Sequence, residues 1–179
     1  LYFDGPVAPS ILQIAEDEDR VISINSFSKA WAMTGWRIGW LSHPASVAGH
    51  LAAMTQYINS GTSGAVQAGA VAAIRNGEGL IGDIRERVKT GLDLAYDRLS
   101  QIPGIILPDK PKGGMYAFFG LEGEADSGIA CDRILESARV GLAPGYLFGD
   151  SSRAFLRMCV FRETGQLAEA LDRMVEALR

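Results

Sequence analysis

The segment Ser26-Phe27-Ser28-Lys29-Ala30-Trp31-Ala32-Met33-Thr34-Gly35-Trp36-Arg37-Ile38-Gly39-Trp40 constrains this chain more than any other. It follows residues 20–25 (Arg-Val-Ile-Ser-Ile-Asn), whose β-branched side chains and length predict a buried strand. In open α/β sheets ligands sit beyond the carboxyl ends of strands. Here that end opens into a turn carrying one lysine, two serine hydroxyls and one arginine. A lysine amine can form a Schiff base with a carbonyl, and serine and arginine are natural partners of a phosphate. The set therefore suits a phosphorylated aldehyde held both covalently and electrostatically. Spacing alone leaves the plainer alternative open, in which Lys29 is a solvated charge and Ser26-Phe27-Ser28 a cap or turn. Gly35 and Gly39 permit a tight turn and close backbone approach. Trp31, Trp36 and Trp40 are expected to pack around the segment rather than to form a stacking platform.

Composition narrows the classes of function. The chain has 179 residues, 47% of them hydrophobic, enough for one domain or a small pair with a real core. A net charge of −4, a pI near 5.2 and scattered basic residues give no field for nucleic acid. The run Glu16-Asp17-Glu18-Asp19 reads as a solvated loop. Cys131 and Cys159 are too few and too far apart for a disulfide framework or a zinc cluster. Both are expected to be small buried residues of a protein in the reducing cytoplasm. No apolar run approaches membrane-spanning length, and the N-terminal residues lack a basic-then-apolar signal pattern. The two histidines have no close Cys, His or carboxylate companions, so no metal site is expected.

Periodicity sets out the elements. Residues 9–18 read as a short helix closed by the acidic run, 44–59 as a helix, and 65–75 as a second, alanine-rich one. Asn76-Gly77-Glu78-Gly79 reads as a domain boundary, dividing the chain into 1–76 and 77–179. Beyond it Ile81, Ile84, Val88, Leu92, Ala95 and Leu99 trace the stripe of a long amphipathic helix, stopped by Ile102-Pro103-Gly104. Strands are predicted at 105–107, 115–119, 140–143 and 155–161, with a helix at 129–138. A closing helix carries Leu167, Leu171, Met174 and Leu178. Helices mixed with short separated strands predict an α+β second domain.

A second constellation lies in Phe155-Leu156-Arg157-Met158-Cys159-Val160, where an arginine interrupts an apolar strand. Burying it is expensive unless it is paired. Together these segments resemble the class I/II, fold-type I pyridoxal phosphate-dependent aminotransferases. Ser26-Phe27-Ser28-Lys29 and Gly35-Trp36-Arg37-Ile38-Gly39 match the family's Ser-x-Ser-Lys and Gly-x-Arg-x-Gly. Pro144-Gly145-Tyr146-Leu147-Phe148-Gly149 matches its Pro-Gly-x-x-Phe-Gly turn. Lys112-Gly113-Gly114-Met115-Tyr116 is similar to a Gly-Gly-aromatic strand entry, although an ordinary hairpin explains it equally well and Tyr116 is given no catalytic role.

The resemblance covers nearly the whole chain but only the C-terminal portion of a family member. It implies an α/β fold: the end of a three-layer α/β/α large domain over 1–76, then the small α+β domain over 77–179. It implies that Lys29 is the catalytic, cofactor-bound lysine, moving a proton at the substrate Cα. Ser26, Ser28 and Arg37 would bind the phosphate of pyridoxal 5′-phosphate, and Arg157 the α-carboxylate of an amino acid or 2-oxo acid. Arg153 and Arg162 are expected to be solvated. The whole enzyme would be a cytoplasmic homodimer. Leu1-Tyr2-Phe3-Asp4-Gly5 looks like native sequence beginning in mid-domain, since a protease-tag scar would carry Gln where Asp4 stands. In the family an acidic partner of the pyridine nitrogen, a stacking aromatic and a Gly-rich phosphate turn all precede that point. Asp4 comes too late to replace the first, so the 179-residue chain alone is expected to turn over little or not at all. Two other functions fit the same residues: another enzyme of this fold type, such as a carbon–sulfur β-lyase, or a non-catalytic ligand-binding module.

Overall fold

The computed structural model describes residues 1–179. Internal contacts divide the chain into two compact units, residues 5–84 with Leu1, and residues 85–179 with Tyr2–Asp4.

In the first unit, β1 (Ser23–Ser26) pairs antiparallel with β2 (Gly39–Ser42), Ser23 opposite Ser42 and Ser26 opposite Gly39. The strand predicted at 20–25 thus forms, three residues late, but it is not buried: Ile24 is 78% exposed. β-branched runs mark strands covered on both faces, whereas β1 has β2 as its only strand neighbour. Pattern reports the propensity of a strand; its neighbours decide its burial. Gly39 is demanded by the pairing, because a Cβ there would overlap the carbonyl oxygen of Asn25.

The helix predicted at 9–18 shrinks to one 3-10 turn, Ile11–Gln13. Ser10 and Gln13 form a reciprocal capping box, but continuation would stack four carboxylates at the negative end of the helix dipole. Helices α1 (Ala48–Asn59) and α2 (Gly64–Asn76) lie where periodicity placed them. The apolar spacing of α1 is real, yet α1 buries no residue, and Tyr57 is 91% exposed. The small core of this unit gathers Phe27, Met33 and Ala70, with Trp31, Ile38 and Ala73 packed against them.

Helix α3 (Glu78–Leu99) begins in the first unit and ends in the second. Ile84, Val88, Leu92, Ala95 and Leu99 are buried, as the stripe predicts. The second unit holds one antiparallel sheet in the order β3-β4-β6-β5: β3 (Ile105–Ile106), β4 (Tyr116–Leu121), β5 (Ala143–Pro144) and β6 (Phe155–Cys159). Helices α4 (Ser127–Ala138) and α5 (Thr164–Ala177) pack on each other. Their Ile134, Leu171 and Met174 join Ala117 and Phe119 of β4 and Leu156 and Met158 of β6 in the buried core. Each large side chain so buried contributes about 1.5–3 kcal/mol. The strand predicted at 140–143 appears only at 143–144. Arg139, left-handed at the end of α4, turns the chain, and Val140 is buried without joining the ladder. No helix is long and apolar enough to cross a membrane.

The two cysteines differ, which corrects the expectation that both are buried. Cys131 lies inside α4, and burial, aided by the Asp132 carboxylate, pushes its thiol up to about 11. Cys159 is exposed, because β6 alternates and its odd positions leave the core. A thiol reagent at pH 8 is expected to modify Cys159 alone in the native protein and both cysteines after unfolding; peptide mass spectrometry checks this. Folding raises the Cys131 thiol above its ordinary value of 9.0. Its contribution to stability is therefore complete below pH 9 and lost as pH climbs toward 11. A Cys131→Ala variant should show a shallower fall in unfolding midpoint across that window.

Candidate active site

The register Ser26↔Gly39 closes residues 27–38 into one loop, so Ser26, Ser28, Lys29 and Arg37 all leave the same end of the β1–β2 ribbon. The loop is anchored by its aromatic residues. Phe27 is buried, with its ring centroid 4.8 Å from that of Trp31 and 5.1 Å from that of Trp40. Trp31 Nε1 donates to the Ala73 carbonyl at 3.1 Å, while Trp36 covers Gly69, where a Cβ would overlap its indole. The tryptophans pack, as expected of them.

With Phe27 and Met33 buried, the polar residues around them are more open. Ser26, Lys29 and Arg37 are exposed, and Ser28 is half-buried. The Ser28 N–H donates to Ser26 Oγ at 3.1 Å, which leaves the Ser26 hydroxyl proton free for another acceptor. Thr34 Oγ1 donates to the Ser28 carbonyl at 3.0 Å, fastening the residue before Lys29 to the turn that carries Arg37. Arg37 adopts a left-handed backbone, φ 51° and ψ 51°, costly outside glycine. Its own Nη1 donates to the Thr34 carbonyl at 2.9 Å and holds that conformation, with the remaining N–H groups unspent. Neither Lys29 nor Arg37 makes an ion pair. From Arg20 to Gly77 the chain contains Arg20, Lys29, Arg37 and Arg75 and no acidic residue. Two hydroxyls, a guanidinium and an amine form a donor set suited to a phosphate ester bearing an aldehyde. Of these residues only Arg37 also lines the adjoining open groove of ≈ 500 Å³, with Asn25, Trp40 and Asn59.

Arg157 belongs to the second unit, in the middle of β6 opposite Phe118 of β4 and Ala143 of β5. Leu156 and Met158 on either side of it are buried, so the pleat turns Arg157 to the other face of the sheet. A one-residue slip would drive its charge into the core, so apolar alternation fixes the register. The guanidinium carbon lies 4.2 Å from the Tyr116 ring centroid and 4.0 Å from that of Phe148. Arg157 makes no ion pair. Arg153 is paired with Asp150 at 3.8 Å and remains exposed.

The model of the aminotransferase class I and II family matches residues 1–174. The chain belongs to that family. Its members are pyridoxal phosphate-dependent, and its fold is the fold-type I α/β architecture, corresponding to roughly the C-terminal half of solved aminotransferase chains. The chain is 37% identical over 163 residues to a probable N-acetyl-LL-diaminopimelate aminotransferase of Bacillus subtilis, covering 87% of this chain and 39% of that protein. It is 30% identical over 184 residues to an aspartate aminotransferase of Pyrococcus horikoshii, covering 99% and 45% respectively. Among solved structures, the aspartate aminotransferase of Rhizobium meliloti superposes with a TM-score of 0.87 at 28% identity, over 99% of this chain and 46% of its own. The chain thus spans less than half the length of these aminotransferases.

Three residues that shape this geometry escape sequence reasoning: Thr34, Tyr116 and Phe148. Phe148 stands inside a motif that is legible, but its contact with Arg157 depends on where the turn after β5 folds. Alternation places Tyr116 on the face away from Ala117 and Phe119; its proximity to Arg157 requires the β4–β6 register.

Proposed function

We propose that this chain forms the lysine-bearing and carboxylate-binding part of an enzyme that transfers an amino group between an amino acid and a 2-oxo acid. The observation that carries the proposal is the single loop closed by Ser26↔Gly39, which presents Ser26, Ser28, Lys29 and Arg37 together. Ser26, Ser28 and Arg37 would hold the phosphate of pyridoxal 5′-phosphate, Lys29 its aldehyde carbon. When bound, that cofactor supplies a ring that draws electrons from the substrate Cα. Lys29 Nζ, the only amine in the loop, moves the proton at Cα. Arg157 grips the substrate carboxylate with its planar fork of donors. The relatives are named for substrates that range from aspartate to N-acetyl-LL-diaminopimelate. What these share is the α-amino acid group, and Arg157 recognises only that part.

Binding of pyridoxal phosphate against pyridoxal tests the phosphate assignment. The chain is expected to prefer the phosphorylated form, and Arg37→Met to erase that preference. The affinity for pyridoxal phosphate should fall about 10- to 100-fold, the worth of a charged hydrogen bond. Equal loss of affinity for both forms would defeat the assignment. Transfer of an ¹⁵N label from an amino acid to a 2-oxo acid distinguishes transamination from β-elimination, which releases the label as ammonia.

A further inference from the structure

We propose that Tyr116 and Phe148 are positioning residues, whose rings clasp the Arg157 guanidinium and leave only its N–H edge to meet a carboxylate; this rests on the assignment of Arg157 to the substrate carboxylate.

Both ring centroids lie well inside the ~6 Å reach of a cation–π contact, at 4.2 and 4.0 Å from the guanidinium carbon. The two rings do not form an aromatic pair with each other, unlike Phe118 and Phe155 beside them at 5.1 Å. Each ring therefore meets the cation by itself and not as half of a stacked pair. A guanidinium is planar, with its donors in the plane and its π faces above and below. Rings on its faces consume none of its hydrogen bonds, whereas a carboxylate would consume them. No carboxylate does so here. The side chain is thus fixed by contacts that leave its anion-binding capacity intact, which lowers the ordering cost of gripping a ligand.

Each ring is itself held in place. Tyr116 sits on β4, paired with Cys159 and diagonal to Arg157 on the same face. Phe148 ends the 3-10 turn Gly145–Phe148, whose first N–H donates to the buried Ser127 Oγ at 3.0 Å. Phe148 is 45% exposed. Its ring centroid nevertheless lies 4.0 Å from the Arg157 guanidinium carbon.

The test compares pyruvate binding and the thermal midpoint of the chain in Tyr116→Phe, Tyr116→Leu, Phe148→Leu and Arg157→Met. Tyr116→Phe keeps a π face and should bind pyruvate as the parent does. Tyr116→Leu and Phe148→Leu should each weaken binding about 3- to 30-fold, as loss of a cation–π contact requires. Phe148→Leu should do so with an unchanged midpoint, which a merely structural role would not allow. The Arg157 Nε–H proton resonance should also lie upfield in the parent, and return toward that of free arginine in each leucine variant. Unchanged pyruvate binding in both leucine variants, with binding lost in Arg157→Met, overturns the clasp and leaves the carboxylate assignment standing. Arg157→Met binding pyruvate as the parent does, or no binding by the parent, overturns that assignment and the proposal with it.

Discussion

Replacing Lys29 with alanine is expected to abolish covalent capture of pyridoxal phosphate by this chain while leaving its fold intact. After incubation with the cofactor and reduction with borohydride, the parent should carry the added mass on the peptide containing Lys29, and the variant should carry none there. The other lysines provide an internal control. Lys110 is paired with Asp93 and Lys112 with Asp4, and the Asp4 carboxylate raises the Lys112 ammonium above its ordinary range. A paired, protonated amine is a poor nucleophile. Lys29 has no such partner, and its loop contains two hydroxyls and Arg37 for the phosphate. Because Lys29 is exposed and makes no side-chain hydrogen bond or ion pair, Lys29→Ala should leave the stability within about 0.5 kcal/mol of the parent's. In the whole enzyme the same change should lower turnover by about 10²- to 10⁴-fold through loss of proton transfer alone. Equal labelling of Lys29 and Lys89 in the parent would remove the special status of the loop.

Gly145→Ala is expected to be the most damaging conservative substitution in the second unit. Gly145 is buried, and a Cβ there would overlap the carbonyl oxygens of both Ser152 and Phe155, with the Phe155 carbonyl carbon 3.0 Å away. All three are backbone atoms, so no side-chain rotation relieves the clash. Overpacking of this kind costs about 1–3 kcal/mol in ordinary cores and more where backbone must move. A fall of about 6–12 °C in midpoint follows from a loss near 3 kcal/mol. The same residue begins the turn that ends at Phe148 and abuts the start of β6, so Arg157 and one of its rings should shift together. Pyruvate binding should therefore weaken along with stability. Gly141→Ala, with nothing within 4 Å of the added methyl, serves as the control and should change neither.

The amino-acid pattern was informative wherever a local rule governs the outcome. The stripe Ile84, Val88, Leu92, Ala95 and Leu99 becomes the buried face of α3, because a helix presents every third or fourth residue to one side whatever lies there. It was least informative where the outcome depends on what a segment meets. Residues 20–25 have the composition of a covered strand, but within these 179 residues β1 has only β2 beside it. Cys159 looks like a core residue until the register of β6 turns it outward beside Arg157.

Residue type and spacing by themselves determined the chemistry on offer: an amine and an arginine eight positions apart between serines and glycines, and a lone arginine in an apolar strand. These are properties of covalent structure and need no neighbours to be read. Only tertiary structure decided how that chemistry is held. Thr34 ties Ser28 to the Arg37 turn, and two rings from separate elements grip Arg157 while sparing its donors. Such contacts join residues 6 to 41 positions apart in the chain, and chain separation carries no record of which distant surfaces a sheet register will bring face to face.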